Sequence, residues 1–384
     1  MKILITSDTY ENQVCGVSSS IATLKDELIN RGHDVRVLLL SNNRKSKIKN
    51  NDYCIGSFPL YLIDFRQSIK YHDKIINEIV SWNPDIIHIQ TEWFAGDVGR
   101  KIAKKCNCPY INTFHTLWDE FTMGLIPIKK VRKLNAKRLV KKTYKNSSAI
   151  IVPSDKMLDY LKKVNIDLPT YIVPTGVDID KFNQKLSTIE EDKIKSDLGL
   201  DKNSKVLMFI GRVAKEKNLE ELIDFLPDLV SKNENIVLVI GGDGPDMGHL
   251  KNMVKHLNME EHVRFAGVIP PEDTYKYYNI GDIFVSSSTC ETQGITYMEA
   301  LASSLPLVCR YDKSLDHVIE NGVDGFTYTS KDEYVNSILR ILGDEDYHAQ
   351  LRSNAFKSSL KFSKEKFGRD IEKVYFNAVN NGLK

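Results

Sequence analysis

The chain has 384 residues, too many for one ordinary domain and enough for two that each bury a good core. The formal net charge of +2 hides an asymmetry: residues 1–178 carry 27 Lys+Arg against 18 Asp+Glu, and the remainder 26 against 33. The basic first half is therefore the one expected to meet an anionic partner, and no apolar run approaches the ~20 residues that a bilayer span needs.

Lys2–Ser7 reads as a buried strand entered almost directly from Met1, so no signal peptide is expected ahead of the fold. Ser18–Arg31 reads as a helix, with Ile21, Leu24 and Leu28 at helical spacing and Gly32 as its stop. Further strands are expected at Asp34–Leu40, Asp85–Gln90, Tyr110–Phe114 and Ala149–Val152. The same rhythm restarts at Val206–Ile210, Ile236–Ile240, Val263–Phe265, Ile283–Ser286 and Pro306–Cys309. Strands that alternate with helices in this way form parallel, doubly wound sheets. The expected fold class is α/β, with two Rossmann-like domains. The seam is expected near Pro174–Lys205, and no internal repeat or low-complexity segment is evident. The six cysteines, at 15, 54, 106, 108, 290 and 309, contain no Cys-x-x-Cys pair, so a reduced cytosolic compartment is expected rather than a disulfide framework.

In open parallel sheets, ligands bind beyond the carboxyl ends of the strands. The polar motifs fall there. Gly211-Arg212 follows one strand, with Lys217 five residues on, and two cations at that place suit a diphosphate. Glu291-Thr292-Gln293-Gly294-Ile295-Thr296-Tyr297-Met298-Glu299 follows another, with Gly294 expected to open a helix. Ile295, Met298 and Ala302 form the buried stripe of that helix, and Glu299 lies roughly 8 Å along it from the Gly294 end. A basic pair and a carboxylate pair suit a ligand with both a diphosphate and hydroxyl-rich sugars, which describes a nucleotide sugar. The structural alternatives are a solvated loop with Glu216 paired locally, and a helix with a surface Glu299 and a capping Glu291. Gly241-Gly242-Asp243-Gly244-Pro245 is a weaker signal, readable as a tight turn. Asp178-Ile179-Asp180 reads as a turn or helix start rather than as a metal motif, and no His/Cys cluster suggests zinc.

Residues 129–145 hold nine Lys/Arg and no acid: Lys129, Lys130, Arg132, Lys133, Lys137, Arg138, Lys141, Lys142 and Lys145. Val131, Leu134, Leu139, Val140 and Tyr144 are interleaved, and Phe121, Met123, Leu125, Ile126 and Ile128 lie just upstream. This is the composition of a basic amphipathic helix lying on an anionic bilayer. A solvated helix face is the alternative. Nucleic acid fits less well, because aromatics are sparse here and no nucleic-acid module is present.

Taken together, Cys15-Gly16-Val17, Thr113-Phe114-His115-Thr116, Pro174-Thr175-Gly176-Val177-Asp178, Gly211-Arg212 with Glu216-Lys217-Asn218, Gly242-Asp243-Gly244-Pro245 and Glu291 with Glu299 resemble the retaining glycosyltransferases of family four. The resemblance covers nearly the whole chain. It implies a GT-B fold, with two parallel sheets facing across a cleft. Domain bounds of 1–176 plus a crossover helix at about 364–384, and 177–363, go with it. It also implies roles. Arg212 and Lys217 would hold the donor diphosphate, with Gly211 and Gly244 beside it. Glu291 and the Gln293–Gly294–Ile295 backbone would meet the transferred sugar, Glu299 the ribose, and Gly267-Val268 the base. Gly16 would let the first loop approach the donor, and His115 would sit at sugar and acceptor. No obligatory metal is implied, the basic pair standing in its place.

Three positions depart from the family pattern: Cys15 where a second glycine is usual, Ser304 where a glycine often precedes Leu-Pro, and Gln293 for a common Phe. Glu-Thr-Gln-Gly with Arg310-Tyr311-Asp312, and His115-Thr116-Leu117-Trp118-Asp119-Glu120-Phe121, resemble the bacterial diacylglycerol glucosyltransferases. The expected reaction is then transfer of glucose from UDP-glucose to diacylglycerol by an enzyme peripheral to the inner face of the cell membrane. A polysaccharide intermediate or a phosphoinositide is the alternative acceptor. A nucleotide-sugar epimerase and a non-catalytic binder are remoter alternatives.

Overall fold

A computed structural model describes residues 1–11, 13, 15–60, 65–117 and 129–380, with residues 65 and 129–133 described by their backbone alone. The chain divides into two compact units, one comprising Met1–Gly176 and the segment from Lys364, the other Val177–Ser363.

The first unit is built on an eight-stranded sheet of order β10-β9-β8-β7-β1-β2-β4-β3. Its strands are β1 (Lys2–Tyr10), β2 (Asp34–Leu40), β3 (Lys47–Lys49), β4 (Asp52–Ile55), β7 (Ile86–Ile89), β8 (Tyr110–Thr113), β9 (Ala149–Val152) and β10 (Thr170–Ile172). All pairings are parallel except that of the edge strand β3 with β4. A separate antiparallel ribbon joins β5 (Phe58–Leu60) to β6 (Phe65–Gln67). Periodicity did not anticipate β3, β5, β6 or β10, which are three residues each. The central strands are apolar on both faces, as strands covered by helices must be: Ile3, Leu4 and Ile5 are fully buried, as are Ile86, Ile87 and Ile89. The C-terminal helix Lys364–Asn380 belongs here. Phe367, Ile371, Val374 and Tyr375 join Ile21, Leu24 and Leu28 of the helix Gly16–Asn30 in one core cluster.

The second unit carries a six-stranded, all-parallel sheet of order β13-β12-β11-β14-β15-β16. Its strands are β11 (Lys205–Ile210), β12 (Ile236–Gly241), β13 (Val263–Gly267), β14 (Ile283–Ser286), β15 (Leu307–Arg310) and β16 (Gly325–Tyr328). Two clusters cover its faces, one around Met208, Phe284, Met298 and Leu301, the other around Leu207, Ile223, Leu238 and Ile338. Asp178 caps the short helix Ile179–Phe182 by accepting from the Lys181 amide, so Asp178-Ile179-Asp180 is a helix start.

The two orders define where ligands can bind. In the second sheet the chain runs outward from β11 through β12 to β13, then returns to lay β14 on the other side of β11. In the first it runs outward from β1 and returns to lay β7 on the other side of β1. These reversals, β11/β14 and β1/β7, are the topological switch points, where diverging loops open a crevice beyond the strand ends.

Candidate active site

The loops after β11 and β14 bring the cation and carboxylate motifs together at the second switch point. Lys215–Lys217 forms one 3₁₀ turn, closed by Asn218 at φ 52°. The β14 loop straps this turn down: Ser287 Oγ donates to the Asn218 carbonyl at 2.6 Å, and Cys290 Sγ approaches the Glu216 carbonyl at 2.9 Å. Lys217 Nζ then donates to Glu291 Oε1 in an ion pair. Both side chains are largely withdrawn from water, at 22% and 17% exposure. Arg212 differs. Its side chain is 65% exposed and its guanidinium lies 3.9 Å from Glu216, so it is a loosely held cation beside a fixed one.

The glycine loop after β12 does more than turn. Gly211 N donates to the Gly241 carbonyl at 2.9 Å and Val213 N to the Asp243 carbonyl at 3.0 Å, extending the β11–β12 ladder past the strand ends. At Gly242, with φ 129°, a Cβ would lie 1.9 Å from the Gly211 carbonyl oxygen. Gly244 presses equally closely on Val213. Glycine is required because two backbones run in contact there.

Gly294 opens the helix Ile295–Ala302 as expected. Its φ is 74°, and a Cβ would meet the Tyr297 ring at 2.3 Å, so the turn that aims Glu291 and the helix start needs glycine. The Gln293 side chain is buried, with its amide 3.7 Å from Met298 Sδ, which leaves the backbone of Gln293 at the loop surface. Met298 and Ala302 are fully buried and Ile295 is partly so. Glu299, half-buried, accepts from the Tyr278 hydroxyl at 2.9 Å. Burial raises its carboxyl above the ordinary range, against the lowering effects of Tyr278 and Lys181. Val268, after Gly267, is 74% exposed.

Several supporting residues escaped the sequence reading. Glu221 accepts from Arg310 at 2.9 Å, from the Tyr328 hydroxyl at 2.8 Å and from Asn218 Nδ2 at 3.1 Å, anchoring the Lys217 turn from behind. Tyr278 is fully buried and reads as core until its hydroxyl is located. The buried run Ser286-Ser287-Ser288 was a legible signal, because three hydroxyls at a strand end must find partners.

In the first unit, His115 follows β8 and its Nε2–H donates to Gln90 Oε1 at 2.6 Å. Gln90 follows β7 and is buried, as is His88 two residues earlier. His88 Nδ1 meets the Tyr375 hydroxyl at 2.7 Å and Nε2 meets Thr113 Oγ1 at 2.6 Å. Burial holds both rings neutral, pulling His115 down to about 4 and His88 to about 3, the latter also opposed by His115. A neutral His88 ring donates from one nitrogen and accepts at the other, and the two hydroxyls can serve either way. With Nε2–H given to Gln90, His115 keeps Nδ1 as an acceptor. Polar residues at alternate positions of the apolar run Ile86–Gln90 were the signal for this network. Asp8, on β1, crosses the switch point to accept from Thr91 at 2.7 Å and from the Ala95 amide at 2.8 Å. Burial raises its carboxyl to about 6. Gly16 is the first residue of its helix rather than part of a loop, and Cys15 caps it reciprocally with Ser18.

The basic segment forms the helix Lys129–Tyr144. One expectation is corrected here. Val140 and Tyr144 are fully buried, with Ala136 a turn earlier, so this part of the apolar stripe packs on the protein and not on a bilayer. Tyr144 donates to Glu92 Oε1 at 2.6 Å and its ring packs edge-on against Phe114, the neighbour of His115. The outer face shows Arg138, Lys141, Lys142 and Lys145 exposed, Lys137 half-exposed, and Leu134 at 49%. The side chains of Lys129, Lys130, Val131, Arg132 and Lys133, and all of Trp118–Phe121, Met123, Leu125, Ile126 and Ile128, lie outside the described residues. Among the described residues no helix is long and apolar enough to cross a membrane. Nor do these residues gather three or more His, Cys, Asp or Glu side chains as a metal ion would require.

Two Rossmann-like units, with a strapped lysine–carboxylate pair at the switch point of the second, define a glycosyltransferase of the GT-B fold. Residues 14–181 match the family described as Glycosyltransferase Family 4, and residues 190–358 the one described as Glycosyl transferases group 1. The chain is 30% identical over 385 residues to alpha-monoglucosyldiacylglycerol synthase of Streptococcus pneumoniae, spanning 99% of this chain and 86% of that protein. It is 28% identical to the synthase of the same name from Acholeplasma laidlawii, over 100% of this chain and 99% of that one. The chain belongs to glycosyltransferase family 4. Among solved structures, Anabaena Alr3699/HepE in complex with UDP superposes with a TM-score of 0.77 at 19% identity, over 98% of this chain and all of that one.

Proposed function

We propose that this enzyme transfers glucose from UDP-glucose to 1,2-diacylglycerol at an anionic membrane surface, giving an α-linked glycolipid. The observation that carries the reading is similarity over 99% and 100% of this chain to two alpha-monoglucosyldiacylglycerol synthases. The UDP held by the similarly folded Anabaena protein supports the choice of donor.

In this reading Lys217 and Arg212 neutralise the diphosphate as it leaves. Lys217 carries three N–H donors, so it serves a phosphate oxygen while keeping Glu291 in place. Arg212, exposed and loosely paired, swings from Glu216 to the phosphate. Gly211 and Gly244 let the backbone come close, and Gly16 does the same from the first unit. Glu291, with the Gln293–Gly294–Ile295 backbone, holds the sugar hydroxyls. Glu299 takes the ribose and Val268 borders the base. His115, neutral and with Nδ1 as acceptor, meets sugar or acceptor hydroxyls. Retention follows front-face attack, in which the departing phosphate oxygen takes the acceptor proton. No metal is needed, so turnover is expected to persist in EDTA.

The membrane is met by the outer face of the Lys129–Tyr144 helix through Lys137, Arg138, Lys141 and Lys142, and the reading adds Lys129, Lys130, Arg132 and Lys133 from the sequence of the same basic segment. Each engaged cation contributes about 1 kcal/mol at an anionic surface. The enzyme then sits on the inner face of the cell membrane. The test is incubation with UDP-glucose and vesicles containing diacylglycerol and anionic lipid, read by mass spectrometry. Diacylglycerol gaining one hexose is the expected result. UDP release without hexosyl lipid would move the acceptor to a polysaccharide intermediate or a phosphoinositide, and no UDP release would overturn the donor.

A further inference from the structure

The second unit has a cavity of about 640 Å³ at the opposite end of its sheet from the donor motifs. It is lined by residues at the amino ends of the strands: Lys205 starts β11, Asn235 precedes β12, and Gly281 and Asp282 precede β14. The donor loops follow the carboxyl ends of the same strands. The two places are separated by the length of β11, roughly 20 Å for six residues at about 3.3 Å each.

Five cations face this cavity, Lys185, Lys195, Lys202, Lys205 and Arg352, against two carboxylates, Glu191 and Asp282. Both carboxylates offset part of this charge and both act on Arg352, which still leaves the cations in excess by five to two. Glu191 pairs with Lys195 at 2.7 Å, and Asp282 Oδ2 accepts from the Val206 amide at 2.7 Å. Among the described residues, Lys185, Lys202, Lys205 and Arg352 form no ion pair. Arg352 is half-buried and pinned by one hydrogen bond, to the Gly281 carbonyl at 3.0 Å. Partial burial, and then the neighbouring Arg352, hold the Lys185 ammonium below the usual lysine range. Like charges gathered in a half of the chain where acids outnumber bases 33 to 26 call for a counter-charge. Asn203, Ser204 and Asn235 add hydrogen-bonding groups at the rim.

We infer that this cavity is a second anion site, taking a phosphate-bearing ligand independently of the nucleotide sugar. The shared chemistry is a phosphate group, met by a fixed guanidinium and flexible ammonium groups. Its source is either a free phosphorylated metabolite or the headgroup of an anionic lipid.

The test is titration of inorganic pyrophosphate into the full-length protein by calorimetry, comparing wild type with Lys217→Ala, Lys185→Gln and Lys185→Gln/Arg352→Gln. Lys217→Ala is expected to keep the binding event, because it changes only the donor end. Lys185→Gln is expected to weaken it roughly tenfold, and the double variant more. Binding lost in Lys217→Ala but retained in both cavity variants would overturn the proposal, as would no binding to wild type. Sedimentation with phosphatidylglycerol vesicles separates the sources. Reduced sedimentation of Lys185→Gln assigns the site to a headgroup, and unchanged sedimentation with weakened pyrophosphate binding assigns it to a free anion.

Discussion

At the β11/β14 switch point the polar groups carry formal charge: Lys217 paired with Glu291, Arg212 exposed and loosely paired with Glu216, and Glu221 tying Arg310, Tyr328 and Asn218 behind them. At the β1/β7 switch point it rests on neutral rings: His88 and His115 are both held uncharged by burial and linked through Gln90. In the proposed reading the same sheet geometry is furnished for two different partners. Fixed charges suit a diphosphate, whose developing charge needs counter-ions. Neutral donors and acceptors suit hydroxyls, which need direction without charge.

The strongest way to break this contrast is to remove a charge from the second site. Lys217→Ala and Glu291→Ala are each expected to lower kcat by about 10²–10³ while leaving thermal unfolding cooperative. Near-wild-type turnover in either would remove that residue from the chemistry.

The next effect belongs to the neutral site. Tyr375→Phe takes a hydroxyl from buried His88 and is expected to destabilise the first unit by about 1–3 kcal/mol, measured by urea unfolding. The pH dependence sharpens the point. His88 sits at about 3 in the folded chain against 6.5 ordinarily, so its contribution is complete above 6.5 and is lost as pH falls toward 3. The loss is about 1.4 kcal/mol per pH unit. Asp8 works in the opposite sense. Its carboxyl, raised to about 6 from 3.8, is penalised when ionised, and that penalty is relieved as pH falls through 6. His88→Gln is therefore expected to flatten the acid-side decline, and an unchanged slope would mean that His88 is not held neutral.

A smaller effect separates strain from chemistry. Ser304 stands at φ 62°, closing the helix Ile295–Ala302 as a glycine would. Ser304→Gly is expected to raise stability by up to about 1 kcal/mol without changing kcat. Smallest in stability is the charge reversal Arg138→Glu/Lys141→Glu/Lys142→Glu, expected to shift unfolding by less than about 0.5 kcal/mol. The same variant is expected to lose sedimentation with anionic vesicles. Retained sedimentation would place the membrane face elsewhere.

The sequence by itself determined the two α/β units, the central strands, and the positions of the cation and carboxylate motifs after strand ends. These follow from local periodicity and from the rule that open parallel sheets bind ligands beyond the carboxyl ends of their strands. Gly294 at a helix start and Asp178-Ile179-Asp180 as a turn or helix start were legible for the same local reason. Other features were decided only in three dimensions. The basic helix shows this best: Val140 and Tyr144 have the composition of a bilayer-facing stripe, and only packing against Phe114 turned them inward. The Gly242 contact with Gly211, the Glu221 anchor, the Gln90 bridge and the basic cavity at the far end of the second sheet join residues 25 to 167 positions apart or scattered over several elements. Such pairings depend on strand order, and strand order is set by how the whole set of apolar faces is buried, which no local window of sequence records.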